Sequence, residues 1–146
     1  MKTAIYPGSF NPWHDGHFDV LDKALQVFDK VNIVVMVNPA KDSDDYRDLT
    51  NIQNTVDRWL NTHNLAGKAT VSQSHSLLVD LIAKSKRRPD AVIRGLRNGQ
   101  DFEYERIQQY WNEDLGINIP TIYFVSDRKL VHISSSAIRI VEGLKK

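Results

Sequence analysis

Cysteine is missing altogether from this chain of 146 residues. Its absence excludes disulfide bonds, thiolate catalysis and every zinc or iron–sulfur site built on cysteine. It is also compatible with a reducing, cytoplasmic setting. Long apolar runs are missing too. None approaches the roughly 20 residues needed to span a bilayer, so no membrane partner is expected. Met1-Lys2-Thr3 leads straight into a strand-like segment, with no apolar signal stretch. Nor is there a surplus of one charge: 19 Lys and Arg stand against 18 Asp and Glu, a net of +1. Capture of nucleic acid calls for a basic surplus or a Lys/Arg stripe, and neither is present, so no nucleic-acid partner is expected. Internal repeats, low-complexity tracts and linkers are absent as well. What remains is 41% hydrophobic and 25% charged, the make-up of an ordinary globular domain. The expectation is a single domain over residues 1–146, long enough to bury its own core.

Two kinds of segment alternate. Short β-branched runs read as buried strands at Thr3–Tyr6, Val31–Val37, Ala69–Ser72, Ala91–Ile93 and Ile119–Val125. Helical periodicity fills the intervals at His17–Phe28, Leu49–Leu60, Ser76–Ala83, Gln100–Leu115 and Ser134–Leu144. Alternation of this kind predicts a parallel sheet covered by helices on both faces. Ligands of such sheets sit beyond the carboxyl ends of the strands, near a reversal of strand order. The residues just after each strand are therefore the candidates for function. The loop Asn38–Asp48, with Pro39, Lys41, Arg47 and four aspartates, is placed to act as a flap over such a site.

After the first strand the chain reads Tyr6-Pro7-Gly8-Ser9-Phe10-Asn11-Pro12-Trp13-His14-Asp15-Gly16-His17. Gly8 allows close approach of backbone to ligand. His14 and His17 stand at a helix mouth, where free N–H groups and the positive dipole end favour phosphate. After the fourth strand come Arg94 and Arg97, forked donors that suit phosphate, followed by the acidic helix start that holds Glu103 and Glu105. The third cluster is Ser134-Ser135-Ser136 followed by Arg139, which also reads as an ordinary N-cap. The fourth is Lys41, alone in its loop.

The Gly-Lys-Ser/Thr ending of a P-loop is missing, and so is the dinucleotide fingerprint. His14-Asp15-Gly16-His17 instead resembles the HxGH signature of the nucleotidyltransferase superfamily. Ile133–Arg139 is similar to that superfamily's ISSxxxR phosphate signature. Ile93-Arg94-Gly95-Leu96-Arg97 followed by Asp101-Phe102-Glu103-Tyr104-Glu105 resembles the motif of bacterial-type phosphopantetheine adenylyltransferases. The chain departs from that family between Asp42 and Arg58, where no Phe-x-x-x-Glu-Arg segment occurs.

The resemblance implies a Rossmann-like, doubly wound parallel five-stranded sheet. It implies adenylyl transfer from ATP, carried by Mg²⁺, to 4′-phosphopantetheine, giving dephospho-coenzyme A and pyrophosphate. His17, Lys41 and Arg94 would be catalytic. Nucleotide contacts would come from Gly8, Ser9, Phe10 and His14, from Gly95, Arg97 and Glu105, and from Ser134, Ser135, Ser136 and Arg139. The acceptor would meet Ser9, Lys41, Arg94 and the residues Ser76, Leu77 and Leu78. No protein cage for a metal is expected. The resemblance also implies a homo-oligomer, the family's hexamer, weakened here by a C-terminus shorter than is usual in the family. Two alternatives stay open: transfer to another phosphate monoester such as nicotinamide mononucleotide, and a nucleotide-binding regulator without turnover.

Overall fold

The computed structural model describes residues 1–37, 49–130 and 133–144. Five strands are hydrogen-bonded in the order β3-β2-β1-β4-β5, where β1 is Thr3–Gly8, β2 Lys30–Met36, β3 Ala69–Ser74, β4 Ala91–Leu96 and β5 Thr121–Val125. All four pairings are parallel. The helices are α1 (Asp15–Leu25), α2 (Leu49–Thr62), α3 (Leu78–Lys84), α4 (Gly99–Asp114) and α5 (Ser135–Leu144). This is the doubly wound α/β sheet expected, with its reversal of order between β1 and β4.

Alternation along the strands divides the core. Tyr6, Val31, Ile33, Val35 and Ile93 join the layer under α1 and α2, where Val20, Leu21, Ile52, Val56 and Leu60 lie buried. Ile5, Val34 and Val92 face the opposite layer with Ile82 of α3 and with Ile117 and Ile119. The fifth run was expected from Ile119, but β5 opens only at Thr121. Pro120 has no N–H to give a ladder; its carbonyl accepts from Val92 at 2.9 Å, and Ile119 packs into the core instead. Leu115 caps α4, and Gly116 turns the chain away at φ +102°, a conformation that side chains resist.

β1 runs two residues beyond the expected Tyr6, through Pro7 and Gly8. On one side it stays paired with β2 over its whole length. On the other side it pairs with β4 only at Ala4 and Ile5. The two central strands therefore part at Tyr6, which opens a crevice at the carboxyl end of the sheet.

Candidate functional site

A cavity of about 340 Å³ occupies that crevice. Its walls come from the end of β1, the mouth of α1, β4 with the start of α4, and the start of α5.

Two histidines build the mouth of α1. His14 is the N-cap, with extended backbone. Its Nδ1 accepts from the Gly16 N–H at 3.0 Å, while the Nδ1 of His17 accepts from the His14 N–H at 3.1 Å. This is a capping box in which imidazoles replace the usual hydroxyl and carboxylate. The rings stack 3.8 Å apart at 27°. Because each Nδ1 is an acceptor, each ring carries its proton on Nε2. Burial, reinforced by the charges of His14, Arg94 and Arg97, lowers the His17 pKa to about 3. Burial also lowers His14, with Asp15 working against it. His17 is thus a neutral imidazole with one N–H left to donate.

Behind them the loop is tightly set. Phe10 has a left-handed backbone, φ +47°, which costs about 1–3 kcal/mol. Packing holds it there. Its ring is buried against Tyr6 and Trp13, and a Cβ on Gly8 would come within 2.8 Å of it. Gly8 thus gives room to Phe10 as well as to a ligand. Gly95 serves similarly on β4, where a Cβ would meet Val20 Cγ2 of α1 at 2.7 Å.

Arg94 reaches across the parted strands. Its Nη1 donates to the Pro7 carbonyl at 2.7 Å, in place of a missing ladder bond. Its Nε and Nη2 donate to the two carboxylate oxygens of Glu105 at 3.0 and 2.7 Å. Burial works against the Arg94 charge, yet the Glu105 hydrogen bonds and charge leave its pKa above the usual value. Glu105 is the buried residue of α4, and a carboxylate there is tolerated because both oxygens are paired. Arg97 donates through its side chain to Asp101 at 2.9 and 3.1 Å, and the Arg97 hydrogen bond lowers the Asp101 pKa.

The opposite wall is the start of α5. Ser134 caps it, its Oγ accepting from the Ala137 N–H at 3.0 Å. Ser135 Oγ donates to the Pro12 carbonyl at 2.9 Å. Arg139 donates to the Asn11 carbonyl and, at 3.3 Å, to Ser136 Oγ.

Most of the expected residues meet here. Gly8, Ser9, Phe10, His14 and His17 line the cavity, as do Arg94, Gly95, Arg97 and Glu105, and the three serines 134–136. Arg139 does not line it; the carbonyl of Asn11 takes its guanidinium instead. Lys41 and the Asn38–Asp48 flap lie outside the described residues. The helix expected from Ser76 begins at Leu78, since Ser74 Oγ takes the Ser76 N–H at 3.0 Å and Leu77 serves as an exposed N-cap. Of those three residues, Leu78 borders a cavity. That is a second space of about 210 Å³ on the other side of Arg94 and Glu105, walled also by Met36, Asn112 and Tyr123. Sequence reading missed Tyr6, Asp101, Tyr104 and Ser126, which share the first wall. Tyr6 has the strand parity of the core, which hides it, and the others depend on how α4 and β5 are packed.

Residues 5–141 match the cytidylyltransferase-like family. A phosphopantetheine adenylyltransferase of Mycoplasma mycoides is 40% identical over the whole of both chains. The chain belongs to the phosphopantetheine adenylyltransferase family. Another member, from Clostridium botulinum, is 33% identical over 97% of this chain and 82% of its own length. The adenylyltransferase family's architecture extends to more distant structures. A pantoate–β-alanine ligase from Francisella tularensis superposes with a TM-score of 0.55 at 16% identity, over 97% of this chain and 69% of its own. A lipopolysaccharide core biosynthesis protein from Thermoplasma volcanium does so with a TM-score of 0.54 at 18% identity, over 87% of this chain and 98% of its own. These two share the fold.

Proposed function

We propose that this chain transfers the adenylyl group of ATP to 4′-phosphopantetheine, releasing pyrophosphate and forming dephospho-coenzyme A. The observation that carries the reading is the convergence of two Nε2–H imidazoles, the Arg94 fork and a serine-capped helix start on one cavity at the strand-order reversal. Such a set of donors suits a chain of phosphates. The second cavity supports an acceptor on the far side of Arg94. Its side-chain amides, Gln108, Gln109 and Asn112, match the amide-bearing arm of phosphopantetheine.

In this reading a phosphate oxygen of the acceptor attacks the α-phosphorus of ATP in line. The new P–O bond forms as the bond to the bridging oxygen breaks, and pyrophosphate leaves. No covalent enzyme intermediate is needed, so positioning and charge stabilisation supply the rate. His17 donates its Nε2–H to the oxygen on which charge grows. Arg94 keeps N–H groups beyond those that hold Glu105 and Pro7, and these meet the acceptor phosphate with Lys41. His14 and the α5 serines hold the phosphate tail.

Mg²⁺ accompanies ATP and spreads the charge of the phosphates. Among the described residues no three His, Asp or Glu side chains are grouped to hold a metal. The Glu105 oxygens are engaged by Arg94, so phosphates and water would supply the ligands. We place the reaction in the cytoplasm, where no disulfide is required. We also propose a homo-oligomer of copies of this chain. Phe102, Tyr104, Ile107, Tyr110 and Trp111 of α4 are all exposed, more apolar surface than one helix ordinarily leaves to water.

The test is to incubate the protein with Mg-ATP and a panel of phosphate monoesters and to follow pyrophosphate release. Release with 4′-phosphopantetheine is expected. Release only with nicotinamide mononucleotide would overturn the acceptor, and no release with any acceptor would leave a nucleotide-binding regulator.

A further inference from the structure

Tyr6 stands where β1 leaves β4. It is 4% exposed, yet it forms part of the cavity wall. Its ring is gripped on three sides, by Phe10 at 5.0 Å and 80°, by Trp13 at 6.2 Å and 67°, and by His17 at 6.5 Å and 62°. Edge contacts of this kind fix a ring and hence its hydroxyl. That hydroxyl takes part in no hydrogen bond among the described residues. The one side-chain polar atom among them that is both unbonded and sealed from solvent is Trp13 Nε1. The Tyr6 hydroxyl is unbonded and not sealed, so it opens on the cavity.

A buried polar group without a partner is costly, and such groups in folded proteins are nearly always paired. Phenylalanine would fill the same collar without that cost. Of the other groups facing this space, the carboxylates of Asp101 and Glu105 are each held by an arginine, and the imidazoles of His14 and His17 stand beside the guanidinium groups of Arg94 and Arg97 as donors. Together they call for an anion. We propose that the Tyr6 hydroxyl is a further ligand contact, donating a hydrogen bond to a phosphate oxygen held beside His17. This rests on the function proposed above. Burial raises the Tyr6 pKa, with the Arg94 charge opposing, so the phenol keeps the proton it donates. The phosphate belongs either to the nucleotide or to its acceptor, and separate titrations distinguish them.

The experiment follows the Tyr6 ring carbon that bears the hydroxyl, by NMR of protein labelled at tyrosine Cζ. A non-hydrolysable ATP analogue and 4′-phosphopantetheine are added separately. The Tyr6 signal should move with one of them, and Tyr6→Phe should weaken that ligand about ten- to a hundredfold, the scale of a hydrogen bond to a charged group. The variant's thermal midpoint should equal or exceed that of the parent, because the collar of rings is kept. A stationary signal, or unchanged affinity in the variant, overturns the proposal and leaves the hydroxyl to water. If Tyr6→Phe fails to fold, the signal of the parent decides alone. A parent chain that binds neither compound overturns this contact and the adenylyl-transfer reading together; a parent that turns over, beside a variant of unchanged affinity, overturns the contact only.

Discussion

Arg94 and Glu105 meet fork to fork, with Nε and Nη2 on the two carboxylate oxygens at 3.0 and 2.7 Å. The pair lies between the two cavities and borders both. Glu105 therefore sets the plane in which the guanidinium faces a ligand. A lysine at position 94 offers a point charge that cannot span both oxygens and the Pro7 carbonyl. Arg94→Lys should raise the acceptor's KM or lower kcat by about tenfold or more, while ATP affinity changes little. Steady-state kinetics beside ATP calorimetry reads this, and equal loss toward both substrates would contradict it.

His17→Ala should lower turnover by about a hundredfold or more, the scale of losing one transition-state donor, while ATP binding weakens much less. Near-normal turnover would show that another group carries the role.

The same histidine makes stability depend on pH. Its pKa is about 3 in the folded chain, against 6.5 ordinarily. Between those values the unfolded chain binds the extra proton, so the contribution is whole above pH 6.5 and is lost as pH falls toward 3. Glutamine at this helix position keeps the capping acceptor without titrating. The stability of the parent relative to His17→Gln should shrink between pH 7 and pH 4 in urea titrations. The His17 ring protons should also show no titration between pH 5 and pH 8.

Gly95→Ala would drive a methyl group to 2.7 Å from Val20, a stiff, buried side chain. We expect a loss of about 1–3 kcal/mol, with turnover falling as well because α1 carries His17. A thermal midpoint equal to the parent's would refute this steric role.

Light scattering at micromolar concentration should report a species heavier than 16.7 kDa. Replacing Tyr110 and Trp111 by serine should shift it toward the monomer. A sole 16.7 kDa species in the parent would end the case for assembly through α4.

The sheet and its order of elements were legible because β-branched runs and helical periodicity alternate cleanly, and the imidazole, arginine and serine clusters all follow strands. What escaped depended on partners far along the chain. The first strand was read as ending at Tyr6, yet one-sided pairing with β2 carries β1 on to Gly8. Glu105 was read as a ligand contact, and only packing reveals Arg94 on both its oxygens. Arg139 was assigned to phosphate, whereas its reach to Asn11 spans 128 positions of sequence. Tyr6 looked like core because its strand parity is that of the core.

The bond from Ser135 to Pro12 joins positions 123 apart. One wall of the cavity therefore comes from chain made long after the imidazole pair. A nascent chain holds its imidazole pair early, but it lacks one wall until the serines 134–136 have emerged. A chain cut short before α5 would keep its core, because no residue of that helix is buried, while losing that wall.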